Sequence, residues 1–386
     1  MERFLDIFQL SLNKRGEELC GDKVKILKTP EKTTLVLSDG LGSGVKASIL
    51  ATLTTEIIIT MLRENASLQD VIETVIGTLP VDKARKIAYA TFTVVEIRHD
   101  TDEFTVINFD NPSVFFFKNG KNIKLVQQTR QILGKEIKIM EGCLEQGDFL
   151  GIASDGVIYA GLGDTMNLGW GWDQAALYIE NLFAHRIYAA HSVVNSVITK
   201  TRILYNNNIG DDATFVGVYV RSRNSIMVFS GPPLDERHDY IYVDQLLKFP
   251  GRKVICGGTT GNIVASFLKE KVTTDVGSLR PDIPPIGKLT GIDLVTEGII
   301  TLAHTLDALR RTRGDLGKLT PDRNGAYLLT RELILADEIN FLVGQKINTV
   351  YQSPLLPSNI SIRRNLIEQI AAVLSELNKD VSIEYC

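Results

Sequence analysis

Cysteine is scarce and scattered in this chain. Its four cysteines, Cys20, Cys143, Cys256 and Cys386, never come within a Cys-x-x-Cys spacing. A disulfide framework or a zinc knuckle is therefore not expected, and a reducing cytoplasm is the simplest setting. No run of five basic residues occurs and the formal net charge is −4, so nucleic-acid binding driven by phosphate contacts is not expected. The longest apolar run, near LTTEIIITML (53–62), reads as too short and too polar to cross a bilayer. The N-terminal MERFLDIFQLSLNKRGEEL is charged early and has no signal-peptide core, so neither a membrane nor export is expected. Other catalytic signatures are missing too. The five histidines form no HExxH, the serines no GxSxG, and no glycine loop carries the Gly-Lys-Ser/Thr of a P-loop.

What is present is an ordinary globular composition, 44% hydrophobic and 23% charged over 386 residues, enough for two domains with real cores. The first part is strand-rich. KVKILK, TTLVLSD, YATFTVVEIR, EFTVINFD, SVFFFKNGK, DFLGIASDG and DATFVGVYVRS are β-branched or aromatic runs, several bounded by turn residues. Helical periodicity covers about 46–65, then 68–79 with Ser67 as N-cap, and one longer region over 173–206. After Arg223 the character changes, and VFSGPPLDER reads as a boundary. Beyond it, RKVIC and VSIEY read as strands. GNIVASFLKEK, ITLAHTLDALRR, AYLLTRELILADEINFLVG and RRNLIEQIAAVLSELNK read as helices. The expected fold class is α+β: a four-layer α-β-β-α sandwich of largely antiparallel sheets over 1–222, followed by a smaller α/β domain over 223–386.

Aspartates stand at the ends of the first-domain strands. Asp22 lies in CGDKVKI, Asp39 in LSDGLGSG, Asp155 in ASDGV, and Asp211 with Asp212 in IGDDATFVGV. Singly each is a turn former or cap. Gathered at one edge they would repel unless cations lay between them, and hard divalent ions suit a set of oxygen ligands. Glycine at position 40 would let a backbone carbonyl approach such an ion.

These residues carry a resemblance. Gly21-Asp22, then Asp39-Gly40-Leu41-Gly42-Ser43-Gly44, then Ser154-Asp155-Gly156-Val157, then Asp211-Asp212-Ala213-Thr214 resemble, in that order, the metal-dependent type 2C (PPM) protein phosphatases. The closest branch is the bacterial one typified by the stage II sporulation protein E phosphatase domain. Ala90-Thr91-Phe92, Gln146-Gly147-Asp148-Phe149 and the stretch NFDNPSVFFFKNGK resemble intermediate strands of that family, and the likeness covers about 1–221. Phe109-Asp110-Asn111 stand where the family has Ala-Gly-His. The resemblance implies two Mn²⁺ or Mg²⁺ ions and hydrolysis of phosphoserine or phosphothreonine in proteins. By position it implies that Asp39 bridges both ions, that Gly40 offers its carbonyl, and that Asp155 and Asp211, rather than Asp212, are further ligands. Asp22 would hold a metal-bound water. No phosphate-binding arginine can be placed; Lys14 and Arg15 are near in sequence but read first as solvated surface residues. The helix after the glycine loop, Ala47 to Leu62, corresponds to a regulatory switch in that branch.

The expected function is therefore a serine/threonine phosphoprotein phosphatase in a cytoplasmic bacterial signalling circuit, with a phosphorylated, anti-anti-sigma-like protein as substrate and a homodimer as one assembly option. The alternatives are a non-catalytic phosphoprotein-binding module, or an anion or metabolite sensor acting through the C-terminal domain. In that domain Gly257, Gly258, Thr259, Thr260 and Gly261 sit in a strand–turn–helix stretch. It reads either as a tight connection with a threonine cap or as an anion site at a helix N-terminus.

Overall fold

The computed structural model describes residues 3–78, 90–185, 189–346, 362–377 and 379–386. It divides into two compact units, Met1–Ser222 and Arg223–Cys386. In the first unit the elements are β1 (Arg3–Leu12), β2 (Asp22–Lys28), β3 (Lys32–Gly40), α1 (Gly44–Arg63), α2 (Leu68–Thr78), β4 (Ala90–Arg98), β5 (Glu103–Phe109), β6 (Phe115–Lys118), β7 (Lys121–Asn122), β8 (Gln127–Ile132), β9 (Lys135–Cys143), β10 (Phe149–Ala153), α3 (Asp155–Ile158), α4 (Trp172–Ala184), α5 (Ala190–Leu204) and β11 (Ala213–Ser222).

Among the described residues these strands form two antiparallel sheets, ordered β1-β11-β10-β6-β7 and β2-β3-β4-β5-β9-β8. Strand alternation explains how they stack. Leu35 and Leu37 of β3 face Leu150 and Ile152 of β10 and Val216, Val218 and Val220 of β11 in the core between the sheets. The intervening Val36 points the other way, to Ile58, Ile59 and Leu62 of α1 and Val71, Ile72 and Val75 of α2. On the opposite outer face, Phe117, Phe149, Phe215 and Tyr219 meet Ile179 and Phe183 of α4 and Val193, Val194 and Val197 of α5. The result is the α-β-β-α sandwich. Period two on a strand buried on both faces places every residue in one of two cores.

Several local expectations need correction. Residues 3–12, read only for what they lack as a leader, form a full strand paired with β11 over ten positions. The region 173–206 is two helices, not one. By length and mean hydropathy, 1.6 over its best window, α1 does meet the requirements of a membrane-crossing helix. Packing accounts for part of that apolarity: Ala47, Leu50, Ala51, Ile58, Ile59 and Leu62 are buried, while Val45, Ile49 and Leu53 are exposed. Ser67 does cap α2, accepting from the Asp70 amide at 3.1 Å and donating to its carboxylate at 2.7 Å.

The second unit contains β12 (Ser225–Ser230), α6 (Asp239–Lys248), β13 (Arg252–Cys256), α7 (Gly258–Leu268), β14 (Thr273–Asp275), β15 (Ile286–Leu289), β16 (Ile292–Thr296), α8 (Ile299–Thr312), α9 (Gly325–Leu335), β17 (Glu338–Val343), α10 (Ile362–Glu376) and β18 (Asp380–Tyr385). Its sheet runs β14-β15-β16-β13-β12-β17-β18. The five strands from β16 to β18 are parallel, and β14 and β15 form an antiparallel edge. Both faces are covered, one around α8, α9 and α10 and the other around α6 and α7, as parallel sheets require. VFS is thus the end of a central strand rather than part of a boundary. AYLLTRELILADEINFLVG is not one helix. It stops at Leu335, because Asp337 accepts the Asn224 amide at 2.9 Å and sends the chain into β17 beside β12.

Each unit has its own core, and both tryptophans of the chain, Trp170 and Trp172, lie in the first. Phe149 is fully buried among Phe117, Phe183 and Phe215. Phe149→Ala should cost about 3–5 kcal/mol and lower the midpoint of tryptophan-detected urea unfolding. Phe341→Ala, in the core of the second unit, should leave that transition in place while shifting part of the far-UV signal. Equal displacement of the tryptophan transition by both changes would refute separate cores.

Candidate functional site

The alternation that builds the sandwich also gathers its polar end. On β3 the inward series Leu35, Leu37 continues to Asp39; on β2 it runs back from Val24 to Asp22; on β11 it runs back from Val216 through Thr214 to Asp212; after β10 it reaches Ser154. At one end of the core between the sheets, apolar side chains therefore give way to carboxylates and hydroxyls. Asp22 and Asp39 are direct partners across the β2–β3 pair. Asp155 opens the one-turn helix α3 immediately after Ser154, and Asp211 precedes β11.

Hydrogen bonds from Ser154 and to Asp212 hold the scaffold. Ser154 donates to Asp22 Oδ2 at 2.7 Å and accepts from the Thr214 amide at 2.8 Å, joining the two sheets. Asp212 is buried, and its carboxylate accepts the Lys14 amide and the Gly21 amide, each at 2.9 Å. It thereby ties the segment between β1 and β2 to the start of β11. Asp211 turns outward: its Oδ1 accepts the Asp212 amide at 3.0 Å and lies 3.7 Å from Lys14 Nζ. Arg15 instead donates to Asn208 at 3.0 Å and takes no part in the carboxylate group.

Two glycines are fixed by close backbone approach. A Cβ on Gly40 would lie 2.1 Å from the Ala47 carbonyl oxygen, and one on Gly156 would lie 2.1 Å from the Asp212 carbonyl oxygen. The expectation for Gly40 was room for its own carbonyl to reach a cation. The contact seen here is the packing of α1 onto the end of β3.

Electrostatically the four carboxylates behave as one group. Burial, reinforced by Asp22, Asp155 and Asp211, pushes Asp39 up to about 9. Burial also pushes Asp22 up to about 7, against hydrogen bonds from Ser154 and Thr214 that favour its charge. Asp155 is raised by burial and then by Asp211. Asp211 is raised by burial and partly relieved by Lys14. Beside them, burial and the neighbouring Asp22 and Asp212 push the Cys20 thiol up to about 12, so it stays protonated. Tyr205 is likewise raised, by burial and by Asp211, and its hydroxyl donates to the Gly156 carbonyl at 2.8 Å.

Such a set fits a divalent cation by its chemistry. All donors are oxygen, the charges repel, and Asp22 Oδ1 is buried with no hydrogen-bond partner. Among the described residues, no three His, Cys, Asp or Glu side chains are already disposed around one ion position. A groove of about 480 Å³ runs alongside, lined by Asp155, Asn111, Ile123, Lys124, Tyr159 and Trp172 among others. Beneath it Asn108 donates to the Pro112 carbonyl at 2.9 Å and Asn111 to Thr93 Oγ1 at 3.1 Å. The second predicted group, Gly257 to Gly261, lies in the other unit, between β13 and the first turn of α7.

The model of the stage II sporulation protein E (SpoIIE) family matches residues 29–221. No curated protein matches the chain. Among solved structures, the phosphatase domain of the cell-fate determinant SpoIIE from Bacillus subtilis, with a fragment of its regulatory domain, is 18% identical with a TM-score of 0.49. That match covers 57% of this chain and 64% of that one, so this chain spans just under two thirds of that structure. RsbX in complex with magnesium is 18% identical, TM-score 0.39, over 56% and 95% of the two chains. The catalytic domain of the serine/threonine phosphatase PstP in complex with two manganese ions is 12% identical, TM-score 0.41, over 57% and 100%.

The raised carboxylates make a signed prediction. Without divalent ions, the folded chain binds more protons than the unfolded chain between about pH 4 and 9, so stability falls as pH rises through that window. In EDTA the melting temperature of the first unit should drop from pH 5 to pH 8.5; each kcal/mol lost corresponds to about 2–4 °C for a domain of this size. Asp39→Asn should flatten the slope and raise the melting temperature at pH 8.5. A wild-type profile without slope in EDTA would contradict the mutual repulsion.

Proposed function

We propose that this chain, which belongs to the stage II sporulation protein E family, is a divalent-metal-dependent phosphatase acting on phosphoserine and phosphothreonine in proteins. The observation that carries this reading is the convergence of Asp22, Asp39, Asp155 and Asp211 at one end of the sandwich, beside an open groove. Repelling carboxylates cost stability, and a catalytic site is where such a cost has a use.

On this reading Asp39, central to the set, would hold two Mn²⁺ or Mg²⁺ ions together with Asp155, Asp211 and the Gly40 carbonyl. Bound there, such ions supply positive charge for phosphoryl oxygens and lower the pKa of water. The chain's own residues do the rest. Ser154 fixes one oxygen of Asp22 and leaves the other as a buried acceptor able to orient water. Asp212 holds the strand ends in place through two amides. Lys14, half-exposed beside Asp211, places a cation at the rim where a phosphate monoester enters. The groove at Asp155 takes the residues flanking the phosphorylated one, with Tyr159 and Trp172 as apolar walls and Lys124 as a charged edge.

The substrate class we propose is a phosphorylated protein of the anti-anti-sigma type in a cytoplasmic bacterial signalling circuit. The family membership and the groove's size beside the carboxylates support a polypeptide rather than a free phosphate ester.

Hydrolysis of p-nitrophenyl phosphate and of a phosphoserine protein should require Mn²⁺ or Mg²⁺ and be abolished by EDTA. Asp39→Ala should lower kcat by at least about 100-fold. Lys14→Ala should raise KM several-fold with a smaller effect on kcat. Metal-independent turnover, or turnover undiminished in Asp39→Ala, would sink the assignment. Phosphoprotein binding with no turnover under any metal would favour a binding module.

A further inference from the structure

The parallel strands of the second unit, numbered by chain order, are β12, β13, β16, β17 and β18. Across the sheet they lie β16-β13-β12-β17-β18. Connections from β12 lead outward on one side to β13 and β16, and the chain then returns to the other side of β12 for β17 and β18. The order reverses between β12 and β17, and in open α/β sheets ligands bind at the carboxyl ends of the strands flanking such a reversal. The helices α6, α7, α8 and α10 all follow strands ending at that edge, so their N-terminal amides face it.

Three side-chain and backbone features meet there. Gly231, just past β12, has φ +89° and lies under the guanidinium of Arg363. A Cβ at Gly231 would fall 2.3 Å from Arg363 Nη1 and 2.9 Å from its Nε. Arg363 Nη1 donates to the Gly344 carbonyl, just past β17, at 3.3 Å, while its Nε is buried without a partner. A guanidinium thus spans the ends of β12 and β17, the two strands at the reversal. Third, Thr260 in the first turn of α7 is fully buried, and its hydroxyl has no partner. Thr312 and Thr330 bond back to the carbonyl four residues earlier, whereas Thr301 and Thr305 of α8 share the unpartnered state of Thr260; at Thr260 the residue four positions back belongs to β13, so no helical carbonyl is offered. Instead its Oγ1 lies 3.2 Å from where a Cβ on Gly257 would sit, and that point is 3.9 Å from the Gly231 amide nitrogen. The hydroxyl therefore faces the gap between the ends of β12 and β13.

We infer that this edge of the second unit binds a small molecule through its phosphate group, held by the Thr260 hydroxyl, the first amides of α7 and the Arg363 guanidinium. The glycine turn Gly257-Gly258 leaves the helix end open to the group, and the fork of an arginine matches phosphate geometry. Glu297, just after β16, accepts the Ile300 amide of the first turn of α8 at 3.3 Å. It bounds the site on the β16 side and provides an acceptor for a hydroxyl on the same ligand. Because no Gly-x-Gly-x-x-Gly follows β12, the arrangement differs from a dinucleotide fingerprint.

The test is amide hydrogen exchange on the full chain in EDTA, with inorganic phosphate and with ADP at matched ionic strength. Either probe should slow exchange several-fold in peptides covering 229–234 and 256–262. Protection by phosphate alone assigns the site to the free ion, and protection by ADP at lower concentration assigns it to a phosphorylated metabolite; both support the inference. Arg363→Gln should abolish the protection and Thr260→Val should weaken it. Should Arg363→Gln fail to fold, the isosteric Thr260→Val decides. No protection by either probe, or protection unchanged in the folded variants, overturns it.

Discussion

The fold of the first unit is organised around a repulsion. Asp22 and Asp39 are brought to one end of a sandwich by the same alternation that fills its middle with leucine, isoleucine and valine; Asp155 joins them from the start of α3 and Asp211 from the residues before β11, and none can ionise without raising the cost for the others. What keeps them there is a frame of hydrogen bonds. Ser154 links Asp22 to Thr214 across the two sheets, and the Asp212 carboxylate accepts two backbone amides. Of two adjacent aspartates, one is part of the frame and the other part of the functional group. Their partners decide which: Asp212 accepts two backbone amides of the segment before β2, and Asp211 is left beside Lys14.

The parity of β11 is read from the structure and not from the amino-acid order, since Phe215 and Tyr219 at odd positions are also apolar and buried. Along β11 the even positions 216, 218 and 220 are inward valines, so 212 and 214 must point inward and 211 must not. The aspartate set and the sandwich strands are readable because the strands of this unit are β-branched or aromatic runs bounded by turn residues. Other parts are obscured for physical reasons. Residues 3–12 are apolar on both faces, because β1 packs between the sandwich core and α5. The role of Ser154 depends on a contact 132 residues away, and no local pattern announces it.

The second unit is harder to read for a related reason. Its central strands are buried on both faces, so their sequences run apolar without alternation, and EINFLV continues the apolar character of the helix before it. The helix–strand break at Ala336-Asp337 rests on pairing with Asn224, more than a hundred residues away. The glycine turn after β13 is visible as a motif, yet its context comes only from strand order. A strand–turn–helix is ordinary anywhere in a sheet, but this one neighbours the place where the sheet reverses direction.

The two glycines of the Ser-Asp-Gly stretches bear on how degenerate relatives should be judged. Gly40 and Gly156 sit against the backbone carbonyls of Ala47 and Asp212, contacts the sandwich needs whether or not any phosphate is cleaved. A descendant that lost its chemistry would remain under selection to keep both glycines, and would be relieved of strain by exchanging Asp39 for a neutral residue. In a family such as this one the glycines are poor witnesses to activity. Persistence of the carboxylates, which only destabilise an idle protein, is the better one.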